Sequence, residues 1–217
     1  MRTILRFFFR LLYHPFAFTY DLVAATVSFG RWKDWIVEVV PFIEGTRVLE
    51  IGHGPGHLQR LLLSRNLPTV GLDESPQMGR LAKSRLGAAS ALTRGLAQHL
   101  PFRVESFDTV VATFPAEYIF DPSTLEEAYR VLVQGGRFVI LPGAVIIGRG
   151  IWDRFLAWLF RITGETPPNL SEVIRQKSKE PFAKAGFQVE VQELEVRSSI
   201  VLLVIATKKE IHVQETS

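Results

Sequence analysis

Residues 48–58 read VLEIGHGPGHL, an acid, Glu50, followed by Gly52, Gly54 and Gly56 at every second position. Glycine lacks a Cβ, so three of them in five residues let another molecule approach the backbone closely. A pyrophosphate held on such a loop favours a helix N-terminus free of nearby negative charge. Glu50, two residues before the first glycine, suits a ligand that carries positive charge. Asp73 ends the next β-rich run, 21 residues after Gly52, where a carboxylate accepts hydrogen bonds from ribose hydroxyls. The dinucleotide fingerprint G-x-G-x-x-G is not met, because its third glycine falls on His57.

These residues need a scaffold. Apolar β-rich runs (RVLEIG, TVGLD, SALTRG, FDTVVATF and RFVIL) alternate with helical patterns. HLQRLLLSR carries Leu58, Leu61 and Leu62 at helical spacing, and SPQMGRLAKSRL opens with Ser75 as N-cap and Pro76 at the first helical position. A third helix, PSTLEEAYRVL, stops at Gly135 and Gly136. Strands alternating with helices predict a parallel sheet covered on both faces. FQVEVQELEV and SSIVLLVIATKK then follow each other with a short link and no helix, which allows only an antiparallel hairpin. The expected fold is α/β: a doubly wound, Rossmann-like, mostly parallel seven-stranded sheet with an antiparallel C-terminal hairpin and N-terminal amphipathic helices. In such a sheet ligands sit at the carboxyl ends of the strands, where the glycines fall.

Four stretches, in order over residues 45–142, resemble the class I S-adenosylmethionine-dependent methyltransferases, in the branch related to quinone and lipid methyltransferases. They are VLEIGHGPG, VGLDESPQM, LPFRVESFDTVVATF and EEAYRVLVQGGRFVI. The resemblance implies S-adenosylmethionine as cofactor, with its methionine part over the glycine loop and its amino group near Glu50. Asp73 would hold the ribose and Met78 the adenine. The implied contact set is Glu50, Gly52, His53, Gly54, Gly56, Asp73, Glu74, Met78, Gly95, Leu96, Ala97, Thr113, Phe114 and Pro115.

Two positions depart from the family pattern. Leu96 stands where an aspartate ordinarily receives the adenine amino group, so adenine would rely on backbone and apolar contacts. His53 replaces a small residue or cysteine, and either contacts the cofactor or caps the loop. After the fourth strand the chain reads TFPAEYIF, which lacks the [D/N/S]-P-P-[Y/F] signature of enzymes that methylate bases and so speaks against a nucleic-acid partner. Phe114 can offer its ring face to a cation. Glu117 is a candidate base or a helix-start acid matching the dipole. Tyr20, in FTYDLVA, resembles a residue of the segment that lids the cofactor, or packs in the core. Methyl transfer from a sulfonium needs in-line orientation more than acid–base groups. The family resemblance therefore does not name a catalytic side chain.

Composition narrows the partners. The 217-residue chain has no cysteine and five scattered histidines without ligand spacing, so no metal site is expected. The excess of positive charge sits in residues 1–35, where Arg2, Arg6, Arg10, Arg31 and Lys33 face only Asp21 and Asp34. Arg2, Arg6 and Arg10 form one helical stripe opposite Ile4, Leu5, Phe8, Phe9, Leu11 and Leu12. Arg6 and Arg10 interrupt any signal-peptide core, and His14, Pro15 and Asp21 interrupt any membrane span. Two readings remain: a basic amphipathic helix lying in a membrane surface, or a helix packing its Phe face on the domain. A second such stretch, VIIGRGIWDRFLAWLFRITGETPP, holds Trp152, Phe155, Trp158 and Phe160 among Arg149, Arg154 and Arg161. It reads as an interfacial element or as a lid over an apolar pocket.

The expected organisation is an amphipathic lid segment over residues 1–35 and one S-adenosylmethionine-binding domain over 36–217, with a hydrophobic insertion at 145–168. The expected activity is methyl transfer to a hydrophobic small molecule or lipid, a lipid amine or quinone-like ring. It would take place at the cytoplasmic face of a membrane, met through residues 1–13 and 145–162. A soluble methyltransferase of an aromatic natural product or thiol, and an inactive cofactor-binding scaffold, are the alternatives.

Overall fold

The computed structural model describes residues 31–147 and 170–209. The expected N-terminal helix at 1–13, Tyr20 and the tryptophan-rich stretch from 148 onward lie outside them. Seven strands form one sheet: β1 (Val48–Ile51), β2 (Thr69–Asp73), β3 (Ala91–Arg94), β4 (Phe107–Thr113), β5 (Leu132–Ile146), β6 (Phe187–Val196) and β7 (Ser199–Lys208). Their order across the sheet is β3-β2-β1-β4-β5-β7-β6. The pairs among β1 to β5 are parallel, and β7 alone runs against both its neighbours. The helices among the described residues are α1 (Trp32–Val37), α2 (His57–Ser64), α3 (Pro76–Leu86), α4 (Pro122–Val131) and α5 (Leu170–Lys184).

The strands sort their side chains by the two-residue period of β structure. Leu49, Ile51, Val110, Ala112, Phe138, Ile140, Leu202 and Val204 face the layer that contains Leu125 and Ala128 of α4 and Phe182 of α5. Val48, Val111, Val139, Leu141, Val201 and Leu203 face Trp32, Trp35 and Ile36 of α1 and Leu58 and Leu62 of α2. The same alternation puts Glu50 on the α1–α2 side, an acid in an otherwise apolar layer. Helix α1 straddles the boundary expected at residue 35 and belongs to this core.

Local chemistry sets the helix starts. Ser75 Oγ accepts the backbone N–H of Met78 and Pro76 follows it, as the sequence predicts for α3. Asp121 caps α4 by accepting the N–H of Ser123. The end of α4 differs from expectation. The helix stops at Val131, and β5 begins at Leu132 rather than at Arg137. The β4–β5 register jumps from Phe107↔Leu132 to Thr109↔Arg137, so Gly135 and Gly136 form a bulge inside the strand. Gly135 takes φ +72°, and a Cβ on Gly136 would lie 3.0 Å from the Asp108 carbonyl oxygen of β4. Helix α5 was not expected: Pro181 lies inside it and its apolar pattern is weak.

Lys208 closes the lower part of this half. Only 4% exposed, its Nζ donates to the carbonyls of Tyr129 (3.1 Å) and Leu132 (2.8 Å) at the end of α4 and lies 3.5 Å from Glu105. A cation beside terminal helix carbonyls is also favoured by the macrodipole. Lys208→Met strands one buried and one part-buried carbonyl and is expected to cost about 2–4 kcal/mol. The check is a lowered urea midpoint with ligand affinity at the opposite end of the strands unchanged.

Candidate functional site

At the carboxyl ends of β1, β2 and β4 the chain leaves two adjoining cavities. The larger, about 470 Å³, is lined on one side by Ile51, Gly52, Gly54, Leu72, Asp73, Glu74 and Ser75. Its other walls are Gly95, Leu96, Ala97 and Gln98 after β3, and Thr113, Phe114, Pro115, Ala116 and Tyr118 after β4. The smaller, about 180 Å³, reaches down to Glu50 and His53 between Trp32, Trp35 and Ile36 of α1 and Leu58 of α2. Gly52, Gly54, Thr113 and Phe114 line both, so the two meet over the glycine loop.

The loop is fixed by its backbone. The N–H groups of Gly52 and His53 both donate to the carbonyl of Leu72, and Gly56 donates to that of His53. Gly52, Gly54 and Gly56 all have positive φ, where a side chain is strained. The three nevertheless serve different ends. A Cβ on Gly52 would sit 2.5 Å from the Tyr118 hydroxyl, so this glycine admits the tyrosine. A Cβ on Gly54 would meet nothing within 4 Å, because the residue borders open cavity. Gly56 faces neither cavity; it is the N-cap of α2, and a Cβ there would press on Leu86 and Ala82 of α3.

Asp73 ties the loop to the next helix. One carboxylate oxygen accepts the N–H of Gly54 (2.8 Å) and the other that of Ser75 (2.8 Å). Each oxygen keeps a lone pair for a ligand, and the residue is on the cavity wall. Phe114 sits at φ +49° directly after β4, which brings its ring to both cavities and within 6.1 Å of the Trp35 ring.

Glu50 is 1% exposed. Among the described residues its side chain accepts one hydrogen bond, from the Gln59 side-chain amide of α2 at 2.9 Å. Burial pushes its carboxyl up to about 8; the Gln59 bond works against this, and the negative charge of Asp73 adds to it. His53, 4% exposed, donates Nδ1–H to the carbonyl of Gly54 at 2.7 Å. Space for His53 and Gln59 comes from Gly71 of β2, the register partner of Glu50. A Cβ on Gly71 would lie 3.1 Å from the His53 ring and 3.2 Å from the Gln59 amide.

Of the residues expected from the sequence, Glu50, Gly52, His53, Gly54, Asp73, Glu74, Gly95, Leu96, Ala97, Thr113, Phe114 and Pro115 line one or both cavities. Met78 does not. It is fully buried beneath α3, with its N–H held by Ser75, so the cap that starts the helix turns this residue inward. Glu117 is exposed at the start of the 3₁₀ turn Glu117–Phe120 and lines neither cavity. Sequence reasoning missed Gln59, Gln98 and the α1 tryptophans, while Tyr118, in the TFPAEYIF stretch after β4, does line the larger cavity. Gln59 did leave a signal: it is a polar residue on the buried stripe of α2, between Leu58 and Leu62. Among the described residues no group of acids and histidines is arranged to hold a metal ion. None of the described helices is long and apolar enough to cross a membrane.

Comparison with known proteins places these features in context. Residues 49–140 match the family model described as a methyltransferase domain. Demethylmenaquinone methyltransferase of Thermobifida fusca is 31% identical over 182 residues, covering 80% of this chain and 74% of that protein. The Thermotoga maritima protein of the same name is 35% identical over 136 residues, covering 60% of this chain and 59% of that one. The match thus spans somewhat under two thirds of that relative's length. In fold, the chain resembles phosphoethanolamine N-methyltransferase 2 of Haemonchus contortus, solved with S-adenosyl-L-methionine. The TM-score is 0.58 at 18% identity, over 90% of this chain and 57% of that one.

Proposed function

Since this chain belongs to the class I S-adenosylmethionine-dependent methyltransferases, we propose that it transfers a methyl group to a hydrophobic acceptor, a quinol-like ring in preference to a lipid amine, at a membrane surface. The carrying observation is the join of the two cavities over Gly52 and Gly54, with Asp73 on one side and Glu50 on the other. A ligand spanning that join has a carboxylate for its ribose and another for its positively charged tail.

The donor set fits S-adenosylmethionine. When bound, this cofactor supplies an electrophilic methyl group. The chain's own residues bind and orient. Asp73 receives ribose hydroxyls with the lone pairs that Gly54 and Ser75 leave. Glu50 offers a buried acid to the cationic end. Leu96, 48% exposed on the cavity wall, supplies apolar contact but no acceptor for an adenine amine, and Gln98 is the polar side chain on that wall. Phe114 stands at the junction, where its ring face suits a sulfonium. Holding the reactants in line contributes up to about 7–11 kcal/mol in well-oriented systems, enough to carry most of the catalysis.

The acceptor reading draws on the names of the relatives and on the aromatic and apolar character of the junction. The membrane reading draws on the arginine stripe of residues 1–13 and the tryptophan- and arginine-rich stretch within 145–162. Both are tested together by incubating the full chain with methyl-labelled cofactor and vesicles containing reduced demethylmenaquinone and phosphatidylethanolamine. Label is expected in the quinol ring, and less of it when residues 1–13 are removed. Label only in the amine headgroup would replace the acceptor, and equal activity without residues 1–13 would remove their membrane role. Cofactor binding with no product from any extract would mark a scaffold.

A further inference from the structure

Glu50 is placed unlike an acid that stays charged. It lies in the apolar layer between the sheet and α1–α2, and among the described residues no lysine or arginine lines the small cavity that reaches it. Among the described residues the small cavity around it is lined by uncharged or histidine side chains, with Asp73 nearby, and Arg85 of α3 reaches His57 Nε2 (2.9 Å) and the Pro55 carbonyl without lining the cavity. Helix α1 gives Trp32, Trp35 and Ile36; β4 gives Thr113 and Phe114; β2 gives Asp73 at its end. The glycine loop gives His53, and α2 gives Gln59 and His57. Lys33 and Arg60 line a separate outer groove between α1 and α2.

Its hydrogen-bond partner, Gln59, is a group that serves both forms of a carboxyl. Its Nε2 donates to Glu50 Oε2 in the observed orientation. Its Oε1 is buried and has no hydrogen-bond partner among the described residues. A half-turn of the amide brings that oxygen to accept from a protonated carboxyl. A lysine or arginine in this place would lock the anion; an amide permits exchange.

We propose that Glu50 holds a proton until the cationic end of the cofactor enters the small cavity, and that cofactor capture then expels this proton to solvent. The proposal rests on the methyltransferase reading above. The O–H bond of the Glu50 carboxyl breaks, the proton passes through the cavity to buffer, and the remaining carboxylate faces the incoming positive charge. Burial, which holds the carboxyl near 8 in the structure, is offset in the complex by an opposite charge at close range. The reverse also holds: departure of the product draws a proton back. Cofactor affinity therefore strengthens as pH rises towards the carboxyl's own titration.

The test is calorimetric titration of S-adenosylmethionine into the full chain at pH 6.5, in phosphate and in imidazole, whose ionisation enthalpies differ. The cofactor's own amino group titrates at about 7.7–8.0, so pH 6.5 keeps it charged throughout. Wild type is expected to release about one proton more per cofactor than Glu50→Gln, the fraction set by a carboxyl near 8. Because Glu50→Gln can bind too weakly to titrate, infrared difference spectra of wild type provide the second measurement. Cofactor addition should remove the band of a buried protonated carboxyl. Binding without proton release and without loss of that band overturns the proposal and leaves the methyltransferase reading intact. Failure of the intact chain to bind the cofactor overturns that reading, and the proposal with it.

Discussion

Glu50→Gln is expected to make the cofactor-free protein more stable at pH 8, although it removes the acid nearest the cofactor's charge. In the folded chain the Glu50 carboxyl sits at about 8, against an ordinary value of 4.5. Below 4.5 both folded and unfolded chains keep the proton, and Glu50 does not alter their balance. Between 4.5 and 8 the unfolded chain gives up the proton while the folded chain retains it, so stability falls as pH rises. Each pH unit costs about 1.36 kcal/mol, and the full window about 3–5 kcal/mol. Above 8 the curve is flat. Glutamine keeps the shape and the amide contact but has nothing to ionise. The variant should lose this slope and gain about 6–20 °C in melting temperature at pH 8, at roughly 2–4 °C per kcal/mol for a chain of this size. Melting curves across pH 4–9 decide it: parallel curves for wild type and variant would mean that Glu50 is charged in the folded state.

Gly54→Leu is expected to fold and to lose cofactor binding by about 100-fold or more, the effect of a side chain standing where the two cavities meet. Gly54 takes φ +50°, and nothing lies within 4 Å of where its Cβ would be. A left-handed leucine costs about 1–2 kcal/mol, which a domain of this size absorbs. The branched side chain then extends into the space shared by Asp73 and Phe114. Gly52→Ala reverses the pattern. Its φ is +73°, and its methyl group would lie 2.5 Å from the Tyr118 hydroxyl, so it should destabilise more than its small size suggests. Circular dichroism with calorimetric cofactor titration separates the two. Tight binding by Gly54→Leu would show that the ligand does not cross this junction.

The sequence carries the scaffold well because the relevant signals are local. Val48 to Ile51, Thr69 to Asp73 and Phe107 to Thr113 are short apolar runs ended by glycine or polar residues, and each is a strand. The hairpin of β6 and β7 is legible from two long β-rich runs without a helix between them. The seating of β7 between β5 and β6 follows from long-range pairing that periodicity along the chain does not specify. Helix α5 was illegible because Pro181 and a weak apolar stripe hide it. In the site, the glycine loop and Asp73 are legible because backbone geometry requires those residue types. Met78 was misplaced because a one-dimensional motif does not say which face of α3 a residue takes. The Glu50–Gln59 pair depends on Gly71, a strand glycine whose missing side chain has meaning only once β1 and β2 lie in register.

The seating of β7 also orders the assembly of the molecule during synthesis. β7 is the last strand among the described residues, yet β6 touches the sheet only through it. Without Ser199–Lys208 in place, the β5 margin of the sheet would have unpaired amides and carbonyls. Such a margin invites pairing with another nascent chain. Residues 187–196 dilute that hazard in their own strand with Glu190, Glu193 and Glu195 at the outermost position. The interior strand has no such charges between Ser199 and Thr207, so prompt closure of the hairpin is the nascent chain's defence against misassembly.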